Sequence, residues 1–240
     1  MVIGFFDCFS GIAGDMILGA LFDVGLPYEP WREQIEMLNL EGYEILVCKT
    51  QQHHLKATDV LIELNKKQPQ RSYQTIKTLL EESPLSSTIK KQSIAIFHRL
   101  AEAEATIHDC SVDTVHFHEV GAVDSIIDIV GAVIGFQQLG INKLYCSPLP
   151  LGSGFTICQH GKIPIPAPAT LALLQQVPVY QTKRKQELVT PTAAAILTTI
   201  VTSFGEMPPL TPLQTGYGAG KTQSEYPAVV RLILGEPVRI

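Results

Sequence analysis

The stretch Val115-His116-Phe117-His118-Glu119-Val120-Gly121-Ala122-Val123-Asp124-Ser125-Ile126-Ile127-Asp128 sets two imidazoles and three carboxylates among small and apolar residues. Charges are costly in such surroundings unless they are paired, hydrogen-bonded or bound to a metal. His, Asp and Glu together are a common donor mix for metal sites. As backbone, the stretch reads as extended, then turning at Gly121, then helical. His116 and His118, two apart, share one face of an extended segment, with Phe117 on the other. Asp124 and Asp128, four apart, stack on one side of a helix. This strand–turn–helix layout carries two His and two Asp toward one point, with Glu119 at the bend. The spacing is equally compatible with a purely structural role, in which His118 and Glu119 cap or pair locally and the two aspartates form a solvated helix face.

Upstream, residues 2–8 form a short apolar run suited to a buried strand, 9–15 a small-residue loop, and 16–24 a helix ended by Gly25 and Pro27. A helix over 30–38, a strand pair across 43–64, a polar connector at 65–71 and helices over 73–82 and 88–105 follow. Downstream, a helix runs to residue 139, and Gly140 fits its C-terminal cap. From residue 141 the character changes: Pro148, Pro150, Pro164, Pro166, Pro168, Pro178 and Pro191 punctuate short strands and turns. Helices over 167–176 and 192–203 and a last strand over 228–234 complete the reading. The elements lack a βαβ rhythm, so the expected class is α+β: a mixed sheet with several helices in one compact domain, Pro-rich in its C-terminal third, with a soft boundary near residue 140.

At 240 residues, 45% hydrophobic and 17% charged, the chain has ample material for a core and no signature of disorder. Residues 1–120 carry 17 acids and 10 bases, whereas 121–240 carry 6 acids and 8 bases, so the second half tolerates an anionic ligand better. The run Lys183-Arg184-Lys185 reads first as a solvated loop. No basic stripe with interleaved aromatics is present, which argues against nucleic acid. Cys8, Cys48, Cys110, Cys146 and Cys158 are odd in number and scattered, without a C-x-x-C, and fit neither a disulfide framework nor a zinc knuckle. The N-terminus lacks a signal peptide's basic region, and the apolar run 126–136 is too short for a bilayer, so a cytoplasmic protein with no membrane association is expected.

Other segments carry weaker signals. Asp7-Cys8-Phe9-Ser10-Gly11-Ile12-Ala13-Gly14-Asp15 lies between a strand and a helix N-terminus, where free N–H groups suit an anion and the two carboxylates suit a cation. A tight turn with Asp15 favouring the helix dipole is the plainer alternative. Cys8 reads as inert core. Thr215-Gly216-Tyr217-Gly218-Ala219-Gly220-Lys221-Thr222 nearly imitates a phosphate-binding loop but has Thr where the first glycine belongs, leaving a glycine-rich nest or a plain loop. Gln159-His160-Gly161-Lys162 and Glu187-Leu188-Val189-Thr190-Pro191-Thr192 could contact a phosphorylated ligand, or Thr190 or Thr192 could simply cap a helix. His53 and His54, adjacent in a strand-like stretch, face opposite ways.

In order along the chain, Asp7-Cys8-Phe9-Ser10-Gly11 with Gly14-Asp15-Met16, His116 to Ser125 with Asp128, His160-Gly161 with Pro164, Pro166-Ala167-Pro168-Ala169-Thr170, Glu187 to Thr192 and Gly216-Tyr217-Gly218-Ala219-Gly220 resemble the nickel insertion proteins of nickel-pincer nucleotide biosynthesis, the LarC family. The resemblance implies a lyase-class cyclometallase. Such a protein places Ni(II) into pyridinium-3,5-bisthiocarboxylic acid mononucleotide with CTP, forming one carbon–nickel and two sulfur–nickel bonds. The product is the cofactor used in lactate racemase maturation. Under this resemblance His116, His118, Glu119, Asp124 and Asp128 hold or deliver nickel, and Asp7 and Asp15 assist. Ser10, His160, Lys162, Glu187, Thr190 and Thr192 then face the nucleotide.

The resemblance departs from the family in two places. The connector at 65–71 has no His where family members carry a His-rich loop. Family members also continue into a C-terminal domain that binds CTP with a divalent metal, so a separate CTP-binding polypeptide is an expected partner, along with a second copy of the chain in a homo-oligomer. Two rival readings stand beside this one: a nickel-binding module without insertion activity, and a metal-dependent hydrolase of a phosphorylated small molecule.

Overall fold

The computed structural model describes residues 1–66, 68–69, 71–113, 115, 117, 122–158, 161–222 and 225–238. The described residues form strands β1 (Val2–Asp7), β2 (Tyr43–Gln52), β3 (Leu55–Leu64), β4 (Ile141–Cys146), β5 (Leu149–Leu151), β6 (Phe155–Cys158), β7 (Gly161–Pro164), β8 (Val179–Gln181), β9 (Ser203–Phe204), β10 (Leu210–Ala219) and β11 (Val229–Pro237). Helices are α1 (Gly14–Asp23), α2 (Tyr28–Glu36), α3 (Tyr73–Glu82), α4 (Ser87–His108), α5 (Val123–Gln138), α6 (Pro168–Leu173) and α7 (Pro191–Ile200). Among the described residues no helix is long and apolar enough to cross a membrane.

The main sheet has the order β2-β3-β10-β11-β1-β4-β9. It is mixed: β2–β3, β10–β11 and β11–β1 are antiparallel, whereas β3–β10, β1–β4 and β4–β9 are parallel. The architecture is therefore α+β, as the irregular order of elements implied. Two small sheets, β5–β8 and β6–β7, lie outside it. Helices α1 and α5 pack on each other, and each also touches the sheet, α1 through β10, β3 and β11 and α5 through β4. The helices thus gather on one face, and their apolar sides meet there in one continuous core. Trp31 of α2 anchors that layer, donating its indole N–H to the Gly131 carbonyl at 2.9 Å and meeting Phe22 edge-on.

Local sequence explains most boundaries. Ser72, Ser86 and Thr190 each accept a backbone N–H of the helix that follows and so start α3, α4 and α7. The strand pair across 43–64 is the β2–β3 hairpin. His53 and His54 form its turn rather than strand positions, with His53 at φ +53°. Val115 and Phe117 are both buried, as alternation requires, but neither belongs to a strand.

The larger correction concerns residues 215–222. The glycine-rich segment is no nest or plain loop: as far as Ala219 it is the end of β10, a central strand. Its glycines answer to contact with α1. A Cβ built on Gly218 would lie 1.8 Å from the Met16 carbonyl oxygen, so α1 rests directly on the strand's backbone. The far end of α1 is fixed by Asp23. Its carboxylate accepts from Lys49 Nζ and, at 2.7 Å, Thr58 Oγ1, and from the Tyr217 N–H at 2.8 Å. Burial alone would raise the Asp23 pKa, but these partners outweigh it and hold the carboxyl below its ordinary value.

Two outcomes are expected from this packing. Gly218→Ala forces α1 off β10 and should cost about 3 kcal/mol, a fall in Tm of roughly 6–12 °C for a chain of this size. A depressed folded pKa means the Asp23 anchor contributes fully above the unfolded value near 3.9 and is lost as pH falls through the folded one. Asp23→Asn should therefore lower Tm at neutral pH, and the gap from the unsubstituted chain should close in melts taken below about pH 4.

Candidate functional site

Helices α1 and α5 begin alike. Each follows an alanine, Ala13 or Ala122, with no side-chain cap. Each carries an aspartate one residue further in, and that aspartate accepts the next backbone N–H at 2.8 Å: Asp15 from Met16, Asp124 from Ser125. An acid in the first turn is favoured by the helix dipole, so two carboxylates are held at two positive helix ends. Asp128, one turn further along α5, joins them. It packs onto Gly14, where a Cβ would come within 2.3 Å of Asp128 Oδ2. Only glycine at the start of α1 admits that carboxylate.

Asp128 keeps part of its surface, but its Oδ1 is sealed off and has no hydrogen-bond partner among the described residues. Burial, then the charges of Asp15 and Asp124, push its carboxyl well above the usual range, against the pull of Lys221. This excludes a solvated helix face for Asp128. Lys221, just past β10, donates to Asp15 Oδ2 at 2.9 Å and to the Val60 carbonyl at 3.0 Å. Burial would lower the pKa of its ammonium; Asp15 first, then Asp59 and Asp128, more than reverse this and raise it.

Beside these groups opens a cavity of about 460 Å³. Its walls include Ser10 to Ala13, Asp15, Phe155, Thr156, Lys185 to Leu188, Thr190, and Gly220 to Thr222. The loop after β1 is stapled to the segment before α7: the Ile12 N–H donates to Leu188 O at 2.7 Å, and the Thr190 N–H to Ile12 O at 3.2 Å. Ser10 ties in a third segment, donating to Pro227 O at 2.6 Å and accepting from Arg184 at 2.9 Å, while the Arg184 guanidinium stacks on Tyr226.

Of the residues singled out from the sequence, Asp15, Asp124 and Asp128 come together, and Ser10, Glu187 and Thr190 line the cavity. Thr190 also caps α7, accepting from the Ala193 N–H. Thr192 is buried in the first turn of α7, away from the cavity lining. Lys162 lies over the Phe155 ring, 4.7 Å from its centroid, and is not among the residues that line the cavity. Asp7 is elsewhere: alternation along β1 puts it on the face opposite Phe6, which packs with Phe136 of α5, and it ion-pairs there with Arg231. Cys8 is buried core, its Sγ 3.5 Å from that of Cys146, and burial pushes its thiol up. His116, His118, Glu119 and His160 lie outside the described residues. Among the described residues, no group of three or more His, Cys, Asp or Glu is arranged to hold a metal by itself.

Sequence reasoning passed over Lys221, set aside with the failed phosphate-loop match, and the run at 183–185, read as solvated. Arg184 instead braces the loop, and Lys185 joins the cavity wall. Their signal was positional. Each lies next to a segment already singled out.

Comparison with known proteins matches residues 4–239 to the family described as "Nickel insertion protein". Proteins named "Putative nickel insertion protein" in Dictyoglomus thermophilum and Citrifermentans bemidjiense are each 46% identical, over 234 and 238 residues. The matches cover 98% of this chain but 61% and 62% of those relatives, so the chain spans about three fifths of their length. No solved structure matches it. From end to end of the fold described here, the chain belongs to the nickel insertion protein family.

Proposed function

We propose that this chain holds Ni(II) and inserts it into pyridinium-3,5-bisthiocarboxylic acid mononucleotide, giving the nickel-pincer nucleotide, together with a CTP-binding domain that supplies the nucleotide triphosphate chemistry. The observation that best supports this reading is the buried oxygen of Asp128, which has no hydrogen-bond partner among the described residues and is set beside Asp15 and Asp124, next to a cavity with cationic and hydroxyl walls. In this reading the three aspartates supply oxygen donors, and the side chains of His116, His118 and Glu119, which lead into α5, complete the set.

The donor chemistry suits delivery better than storage. Carboxylate oxygens hold a borderline ion less tenaciously than soft sulfur does, so the thiocarboxylates of the acceptor can draw nickel away. Lys185, Thr190 and Thr222 line the space where an anionic mononucleotide would lie, with Phe155 offering an apolar ring beside them. Ser10 is spent on structure, holding the loop to Arg184 and Pro227, so its contribution is to shape the wall.

Calorimetry with Ni(II) on the purified protein should give binding that weakens at least ~10-fold in Asp128→Asn, and comparably in a His116→Ala/His118→Ala double variant. Unchanged affinity in both would sink the metal assignment. Lys185→Ala should leave nickel affinity alone and weaken binding of a pyridine mononucleotide about tenfold, the worth of one charge-assisted hydrogen bond. Equal mononucleotide affinity would remove the cavity from the reading. Insertion assayed with and without an added CTP-binding domain tests the division of labour.

A further inference from the structure

Two side chains on the cavity wall are left unspent by the fold. Phe155 is a large aromatic side chain that stays 64% exposed there. Lys162 lies over its ring, which biases the ring to one orientation. Lys185 is exposed and forms no hydrogen bond or ion pair among the described residues. The other charged groups of the wall are engaged: Lys221 pairs with Asp15 and the Val60 carbonyl, and Glu187 is not free. Phe155 and Lys185 are also neighbours. The Ser153 N–H donates to the Arg184 carbonyl at 2.9 Å, and a Cβ built on Gly154 would lie 4.0 Å from Lys185 Cβ. Residues 153–155 and 184–185 thus run side by side and set an aromatic ring next to an ammonium.

We propose that Phe155 and Lys185 form the ring-binding end of the cavity, Phe155 stacking on the pyridinium face and Lys185 pairing with an anionic group carried by that ring. This rests on the reading of the cavity as the place of the pyridinium mononucleotide, and not on where nickel sits. An aromatic face attracts a cationic ring, and offset stacking adds to that attraction. A ring lying on Phe155 brings its own substituents nearest to Lys185. The phosphate of a mononucleotide is held off from the ring by the ribose, so the group that meets the ammonium is one on the ring. A charge-assisted bond of this kind is directional and stronger than one to a neutral group. The pair therefore selects for an acid on the pyridinium ring, a feature that a phosphate site alone would not read.

Titration calorimetry with nicotinate mononucleotide and nicotinamide mononucleotide tests this. The two share pyridinium, ribose and phosphate and differ only in a ring carboxylate against a carboxamide. The unsubstituted chain should bind the acid about tenfold more tightly, the worth of one charge-assisted hydrogen bond. Lys185→Met should erase that preference by weakening the acid alone, and Lys185→Arg should keep it. Phe155→Leu should weaken both ligands about fivefold and leave the preference in place. Both side chains are exposed, so neither substitution disturbs the core. Equal binding of acid and amide by the unsubstituted chain overturns the inference, as does a Phe155→Leu variant that binds both normally. If Lys185→Met weakens both ligands alike, its ammonium meets the phosphate; the ring assignment is then wrong while the cavity reading stands. If neither mononucleotide binds the unsubstituted chain, the cavity reading and this inference fall together.

Discussion

The seating of α1 on bare backbone governs this structure. Because Gly218 offers no side chain, the helix lies against β10. Asp23 then clamps its C-terminal end to β2, β3 and β10, and Lys221 joins its N-terminal end to β3. A helix fixed at both ends cannot slide or rotate without breaking these hydrogen bonds. Its first turn is therefore held where Gly14 can receive Asp128 from α5. The acidic cluster depends on this register, since it is assembled from two helices packed on each other, with Gly14 leaving the room that Asp128 fills.

The same register brings distant parts of the chain to one cavity. Residues 10–13 follow the first strand, residues 185–190 precede α7, and residues 220–222 follow β10. None of these segments forms a site alone. They meet because a parallel bridge ties Ile12 to Val189 and because Ser10 links Arg184 to the Pro227 carbonyl. Backbone pairing is well suited to this task, being directional and insensitive to side-chain rotamers. Arg184, which precedes the wall residue Lys185, is held by its bond to Ser10 and its stacking on Tyr226.

Most helices were legible in the sequence, since apolar spacing and the capping residues Ser72, Ser86 and Thr190 act locally. The pairing of Asp124 with Asp128 was legible for the same reason: both sit on one helix. What stayed hidden was non-local. β10 reads as a loop because its glycines are chosen by the helix above it, and tertiary contact overrides strand propensity there. Asp7 looked like a companion of Asp15 across a short loop, yet strand alternation sends it to the other face of the sheet. Lys221 stood in a motif match that failed, and only the fold brings it to Asp15, 206 positions away in the chain.

The order of strands has a consequence for how the molecule comes into being. β10 and β11 come last in sequence among the strands described, yet they sit between β3 and β1 at the middle of the sheet. A chain emerging from the ribosome can form the β2–β3 hairpin and the β1–β4 pair early, but among the described strands nothing pairs these two halves until residues 210–237 are released. Such late, long-range pairing is slow and leaves inner strand edges open to wrong partners. It also delays the cavity, because Lys221 and the turn carrying Pro227 arrive with the same hairpin. The cavity takes shape only when the sheet closes.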